Sequence, residues 1–232
     1  MASGSADEPN SSFVRPDPGR GQIGDARYAE HYVRSHGEGR NTLDYRSGYV
    51  DVLTLDALMP EGYRLLDVGC GTAGYHHLLA RHGHVTGIDP IPEMIMAANQ
   101  FKEEFSVRNS DYACLTFEEF KATEKLDAIR LTGVYGWYLS WHRSAGVLAK
   151  AFRLLDPAGI AVLSYVPPKS PVMAAKAILA PARTVVIFRR RFLAMVGASG
   201  FVPMFEIRLP HTTVLFARKP AASPDMTNRD PA

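Results

Sequence analysis

Apolar positions along this chain alternate between short continuous runs and helical spacing. The runs at 63–68, 84–88, 106–109, 126–131 and 160–165 are bounded by Gly, Pro, Asp or Asn. They are too short for buried helices and predict strands. Between them the apolar residues recur every three or four positions, predicting helices over 27–36 and 42–59 and from the first strand to about 81. Further helices are predicted over 92–105, 118–123, 144–155 and 190–198. Thr42 is placed to cap the second helix, with Leu43, Tyr49, Val50, Leu53 and Ala57 on one stripe. Pro92 suits a first helical turn. Asp156-Pro-Ala-Gly159 stops one helix and Gly200 ends another. The last two runs, 201–209 and 212–217, are separated only by Pro210-His211 and should pair as an antiparallel hairpin.

Strands alternating with helices imply an α/β fold: a Rossmann-like, doubly wound, mostly parallel seven-stranded sheet covered on both faces, its last pairing antiparallel. Residues 1–25 and 220–232 are rich in Ser, Gly, Pro and Asp and are expected to be flexible tails around a single domain over 26–219. Within it, 26–60 forms a helical cap. The stretch 166–185, with four prolines and an apolar core, reads as a lid insertion.

Composition narrows the partners. The 232 residues suit one domain with a full core. A net charge of +2 gives no case for nucleic acid. No apolar run approaches a membrane span, and the N-terminus lacks a signal-peptide pattern. Cys70 and Cys114 cannot build a disulfide framework and read as reduced thiols in a cytoplasmic protein, with Cys114 on a loop or helix start. His76-His77 and His82-x-His84 lack further ligands at a metal-binding spacing, so no metal is expected.

The chemistry concentrates at two consecutive strand ends. Arg64-Leu-Leu-Asp-Val-Gly-Cys-Gly-Thr-Ala-Gly-Tyr75 is an apolar run ending in an acid and two glycines, and Val85-Thr-Gly-Ile-Asp-Pro90 is a second run ending in an acid. Gly69 and Gly71 allow backbone angles that a Cβ would forbid and let the chain lie against a ligand. Asp89 is placed to accept hydrogen bonds from both hydroxyls of a ribose. Gly69-Cys-Gly-Thr-Ala-Gly74 also satisfies the Gly-x-Gly-x-x-Gly pattern of nicotinamide dinucleotide sites. Asp67, two residues before the first glycine, argues against a pyrophosphate and suits a cationic ligand.

Asp67, Gly69 and Gly71 resemble the first motif of class I S-adenosylmethionine-dependent methyltransferases, acid-x-Gly-x-Gly-x-Gly, over about residues 45–218. Ala73 replaces the third glycine, which is displaced to Gly74; an ordinary helical conformation is expected at Ala73. The resemblance implies S-adenosylmethionine as cofactor and the closing hairpin. Reading the residue past each strand gives the expected cofactor contacts: Asp67, Gly69, Cys70 and Gly71; then Asp89, Pro90 and Met94, which either faces adenine or packs in the core. Ser110-Asp111-Tyr112 is expected to follow the third strand, with Asp111 accepting from the adenine amino group. Thr132 and Gly133 follow the fourth, facing the cofactor's amino acid end. Arg46 is placed to fork onto its carboxylate, with Tyr32 in the covering helices.

Methyl transfer from a sulfonium needs mainly an in-line nucleophile and exclusion of water, so catalytic residues are poorly encoded. The segment Gly133-Val-Tyr-Gly-Trp-Tyr-Leu-Ser-Trp-His142 supplies Tyr135, Trp137, Tyr138 and Trp141 as a cation-attracting aromatic wall, and His142 as a base. The expected activity is methyl transfer to an O or N atom of a small molecule of bacterial specialised metabolism, by a monomer or homodimer. Intramolecular cyclisation of S-adenosylmethionine to azetidine-2-carboxylate and methylthioadenosine, or a non-catalytic binding module, are the alternatives.

Overall fold

The computed structural model describes residues 43–134, 144–179, 186–210 and 212–221. Its elements run α1 (Leu43–Leu58), β1 (Arg64–Val68), α2 (His76–Leu79), β2 (His84–Asp89), α3 (Pro92–Glu104), β3 (Ser110–Cys114), β4 (Leu126–Leu131), α4 (Ser144–Leu154), β5 (Leu155–Tyr165), α5 (Pro171–Leu179), α6 (Arg189–Ala198), β6 (Val202–Arg208) and β7 (Thr213–Arg218). They form one seven-stranded sheet of order β3-β2-β1-β4-β5-β7-β6. The first five strands of that order are parallel; β7 is antiparallel to both β5 and β6. The mostly parallel sheet and closing hairpin are as the sequence predicts.

Strand alternation divides the core in two. Leu65, Ala128, Ile160 and Val162 face one side with Val52 and Leu55 of α1, Leu79 of α2 and Phe101 of α3. Leu66, Ile129, Ala161 and Leu163 face the other with Leu148 of α4 and Phe192 of α6. The strands β1, β4, β5 and β7 are thus buried on both faces, as a sheet covered by helices requires.

Several elements depart from the sequence reading. The third strand is not 106–109. The chain is still unwinding from α3 there: Val107 donates to the Lys102 carbonyl and Ser106 takes a positive φ of 53°. Pairing with β2 starts only at Val85↔Ser110 and ends at Asp89↔Cys114. Cys114 therefore closes a strand rather than starting a helix. The predicted helix over 118–123 is a single turn, in which the Glu119 carboxylate accepts from the Thr116 amide and hydroxyl, both at 2.8 Å. Lys150 of α4 holds that turn, its Nζ donating to the carbonyls of Phe117, Glu118 and Phe120. The helix after β1 shrinks to four residues. Residues 156–159, expected as a stop, are a bulged start to β5, between Leu126↔Leu155 and Ala128↔Ile160. Finally, α1 buries Asp51, Val52 and Leu55, leaving Val50 at 42% and Leu53 at 52% exposure, so the predicted stripe is the outer face. The predicted helix at 27–36 and the two tails beyond 221 and before 43 lie outside the described residues. No described helix is long and apolar enough to cross a membrane.

Candidate functional site

Strand order reverses between β1 and β4, which opens a crevice at their carboxyl ends. The glycine turn fills the floor of that crevice. Gly69 and Cys70 both donate to the Ile88 carbonyl, at 2.7 and 3.1 Å, which ties the turn to the end of β2. Gly69 has φ of 71° and Gly71 of 56°, the left-handed region that a Cβ penalises. A Cβ on Gly69 would also fall 2.1 Å from Cγ1 of Val134. Ala73 is not helical: its φ is 57°. The chain must leave the turn through a third left-handed residue, and here an alanine adopts the conformation.

Asp89 ends β2 at 7% exposure. Its Oδ2 accepts from the Gly71 amide at 3.2 Å and its Oδ1 from the Ile91 amide at 3.0 Å. These bonds fix the carboxylate while leaving each oxygen capacity for another donor. Burial pushes the carboxyl above its ordinary pKa, opposed by the two amides. Pro90 follows at the surface, and Met94 is buried at 2% exposure, a core position.

Asp67 is more deeply placed than the sequence suggests. It is 2% exposed. Arg130 sits directly beside it, because β1 and β4 pair Asp67↔Arg130 in register and point both side chains to the α1 face. Arg130 Nη1 donates to both Asp67 oxygens, at 3.1 and 3.2 Å, and its Nε donates to Asp51 of α1 at 2.9 Å. His76 Nε2 lies 2.9 Å from Asp67 Oδ2, and His76 Nδ1 lies 3.1 Å from the Tyr112 hydroxyl, the two rings stacked. Burial alone would lift the Asp67 carboxyl, but Arg130 and His76 outweigh it and hold it below its ordinary value. At Asp51 burial outweighs Arg130, and its carboxyl is raised. Burial would lower the pKa of Arg130, but the two carboxylates overcome it and keep the guanidinium charged. The Asp67 charge is thus partly neutralised from within, which weakens charge repulsion as the argument against a pyrophosphate.

Thr132 and Gly133 follow β4 as predicted. The Gly133 amide donates to Ser164 Oγ at 2.9 Å. Thr132 Oγ1 is buried with no hydrogen-bond partner, alone in this among the described side-chain atoms. An orphaned hydroxyl at the carboxyl end of β4 is what a site shaped for a polar ligand leaves behind.

Asp111 and Tyr112 do not follow the third strand; they lie within it. Asp111 is opposite Thr86 near the amino-terminal end of β3, 68% exposed and bonded to His84 at 3.1 Å and Lys102 at 3.4 Å. The strand end beside Asp89 belongs to Cys114 instead. Tyr112 does reach the glycine turn from beneath, through His76. Burial pushes its hydroxyl up to about 12. Arg46 falls on α1 with its side chain outside the described atoms, and Tyr32, Tyr135, Trp137, Tyr138, Trp141 and His142 lie outside the described residues.

Residues 65–159 match the methyltransferase domain family, the stretch that contains the glycine turn, Asp89 and the crevice. Over that stretch the chain is similar to methyltransferase domains, and its fold is that of solved methyltransferases. The chain is 28% identical, over 142 residues and 60% of its length, to the malonyl-[acyl-carrier protein] O-methyltransferase of Acetivibrio thermocellus. It is 34% identical over 107 residues, 45% of its length, to the ubiquinone biosynthesis O-methyltransferase of Azorhizobium caulinodans. It spans 45% and 40% of the length of those two relatives. Among solved structures it resembles the magnesium protoporphyrin IX methyltransferase of Synechocystis PCC 6803 with bound SAH, at a TM-score of 0.64 and 19% identity, covering 84% of this chain and 94% of that one. The fixed Asp89 carboxylate, the side-chain-free glycine turn and the orphaned Thr132 hydroxyl fit S-adenosylmethionine, the cofactor that the methyltransferase-domain match implies.

Sequence reasoning missed Asp51 and Arg130, and weighed His76 only as a metal ligand. An arginine flanked by apolar residues near the end of a strand, in Leu126-Asp-Ala-Ile-Arg-Leu131, is the signal that was available for Arg130.

Proposed function

We propose that this chain is an S-adenosylmethionine-dependent methyltransferase that transfers a methyl group to an oxygen or nitrogen atom of a small molecule, releasing S-adenosylhomocysteine. The observation that carries the cofactor half is the Asp89 carboxylate, locked by the Gly71 and Ile91 amides at the strand end beside the glycine turn. When bound, S-adenosylmethionine supplies an electrophilic methyl on a sulfonium, a leaving group needing no further activation. The chain's own work is therefore to bind, orient and exclude water. Asp89 accepts from the ribose hydroxyls. Gly69 and Gly71 admit the nucleoside backbone-close. Thr132 Oγ1 gains the partner it lacks by meeting a polar group of the amino acid end. Both curated relatives are O-methyltransferases by name, which favours oxygen as the acceptor atom.

Calorimetry with S-adenosylmethionine tests the reading. Each charge-assisted hydrogen bond contributes about 1.5–3 kcal/mol, so Asp89→Ala should weaken binding by about ten- to a hundredfold or more. Unaltered affinity in Asp89→Ala overturns the assignment. Methylthioadenosine appearing from enzyme and cofactor alone would replace methyl transfer by cyclisation.

A further inference from the structure

Acids and bases are unevenly spread along this chain. Residues 157–205 contain no Asp or Glu, whereas Lys169, Lys176, Arg183, Arg189, Arg190 and Arg191 make the stretch +6. All 24 acids lie outside it, with 20 of the 26 Lys and Arg, so the remainder of the chain is net negative. The overall charge of +2 conceals this division.

The fold brings the described part of that stretch to one end of the molecule. β5 runs parallel to β4, so Tyr165 closes it on the crevice side of the sheet. The chain leaves and returns there: Val166 bridges Val186, and the Ile187 amide donates to the Val166 carbonyl at 3.0 Å. This excursion carries α5. The helix α6 starts at the same end, where Arg189 Nε donates to Glu206 Oε2 at 2.6 Å. Glu206 is near the close of β6, which, like β5, is antiparallel to β7 and so also ends on the crevice side. Lys169, Arg190 and Arg208 are exposed at that end.

Both helices invert the usual placement of their residues. The nine residues of α5, Pro-Val-Met-Ala-Ala-Lys-Ala-Ile-Leu, hold one charge, Lys176. The helix buries Ala177 and exposes Val172 at 64%, Ile178 at 66% and Leu179 at 83%. A protein interior takes leucine and isoleucine in before alanine, so the outward aliphatics are the informative observation. In α6 the inversion is one of charge. A helix start favours acids, because its free amides carry partial positive charge. Here Arg189-Arg190-Arg191 open the helix, with no acid in the first turn and no side-chain cap from Phe188. The arginines add to the dipole, and the end attracts anions.

We propose that this face docks on the surface of an anionic lipid bilayer, with Val172, Ile178 and Leu179 among the upper acyl chains and Lys169, Arg190 and Arg208 on the headgroup phosphates. A nucleic acid would satisfy the charges and leave the aliphatic side chains in water. A second copy of this chain would set one positive face against another. An acidic protein would need a register, and α5 offers no hydrogen-bonding side chain besides Lys176 to set one. A fluid surface of phosphate over hydrocarbon needs none. At 1.5 Å per residue α5 is about 14 Å long, against about 30 Å of hydrocarbon, so it lies in the interface and does not cross. Docking there turns the crevice mouth toward the lipid. The proposal is independent of the cofactor reading.

The experiment sediments the full chain with vesicles of phosphatidylcholine alone and with vesicles containing about one-third phosphatidylserine. The chain should pellet with the anionic vesicles and not with the neutral ones. Its binding should fall several-fold as salt rises from about 0.1 M to about 0.5 M. Arg190→Gln should weaken the partition about fivefold. The double change Ile178→Ser, Leu179→Ser should weaken it about tenfold or more. Equal pelleting with both kinds of vesicle, or pelleting with neither, overturns the proposal. So does anionic binding that the double change leaves unaltered. A dimer in analytical ultracentrifugation that the double change abolishes would assign the face to a second copy and overturn it too. Should the double variant fail to fold, Val172→Ser takes its place, and the lipid and salt dependence of the wild-type chain decides in any case.

Discussion

Gly69 and Ala73 occupy the same left-handed region of backbone space, yet opposite outcomes are expected on exchanging their side chains. Gly69→Ala adds strain of roughly 1–2 kcal/mol and a methyl 2.1 Å from Val134, so the melting temperature should fall by several degrees and cofactor affinity with it. Ala73→Gly removes that strain at the cost of one buried methyl, about 0.8 kcal/mol. Its stability should stay level or rise by up to about 1 kcal/mol, measured by thermal or urea unfolding; a clear loss would show that the φ of 57° is not strained. At this scale the sequence was partly legible. Asp89 could be read because an acid ending an apolar run has one local meaning. Ala73 was misread as helical because the residue type hides the backbone angle. Asp111 was misplaced because four residues of register decide which end of a strand it occupies.

Elements meet here through register, and register is what a linear reading cannot see. Asp67 and Arg130 become neighbours only because β1 and β4 pair in parallel at those positions; nothing near either residue announces the other. The helix α1 shows the same limit from another side. It is apolar on two faces, so periodicity alone chose the outer one, whereas Asp51 selects the inner face by reaching Arg130. Arg130→Met should leave two buried carboxylates unbalanced and cost about 3–5 kcal/mol. The pH dependence supplies the sign. In wild type the Asp67 carboxyl is depressed, so its stabilising share is present above the unfolded value of 3.8 and is lost as pH falls through the lower, folded value. Without the guanidinium the same carboxyl is raised by burial. The variant should then gain stability as pH is lowered from neutrality toward about 4, narrowing its gap to wild type. Urea midpoints at several pH values will read this, and a constant gap contradicts it.

For the molecule as a whole, the alternation of runs and helical stretches was enough to give the class of fold, the number of strands and the closing hairpin. It did not give strand order, which rests on long-range pairing. That order sets a gradient of protection. The strands β2, β1, β4, β5 and β7 are flanked on both sides, whereas β3 and β6 form the edges. Amide hydrogen exchange should therefore be slowest in the five inner strands and faster at 110–114 and 202–208; early exchange in β5 would contradict the order. One consequence concerns synthesis. The strand wedged between β5 and β6 is the last to be made. Until residue 213 has cleared the ribosome, β5 has one bare edge and β6 has no sheet to join. The growing polypeptide must therefore wait, partly assembled and in need of shielding from its neighbours, for its final strand to emerge.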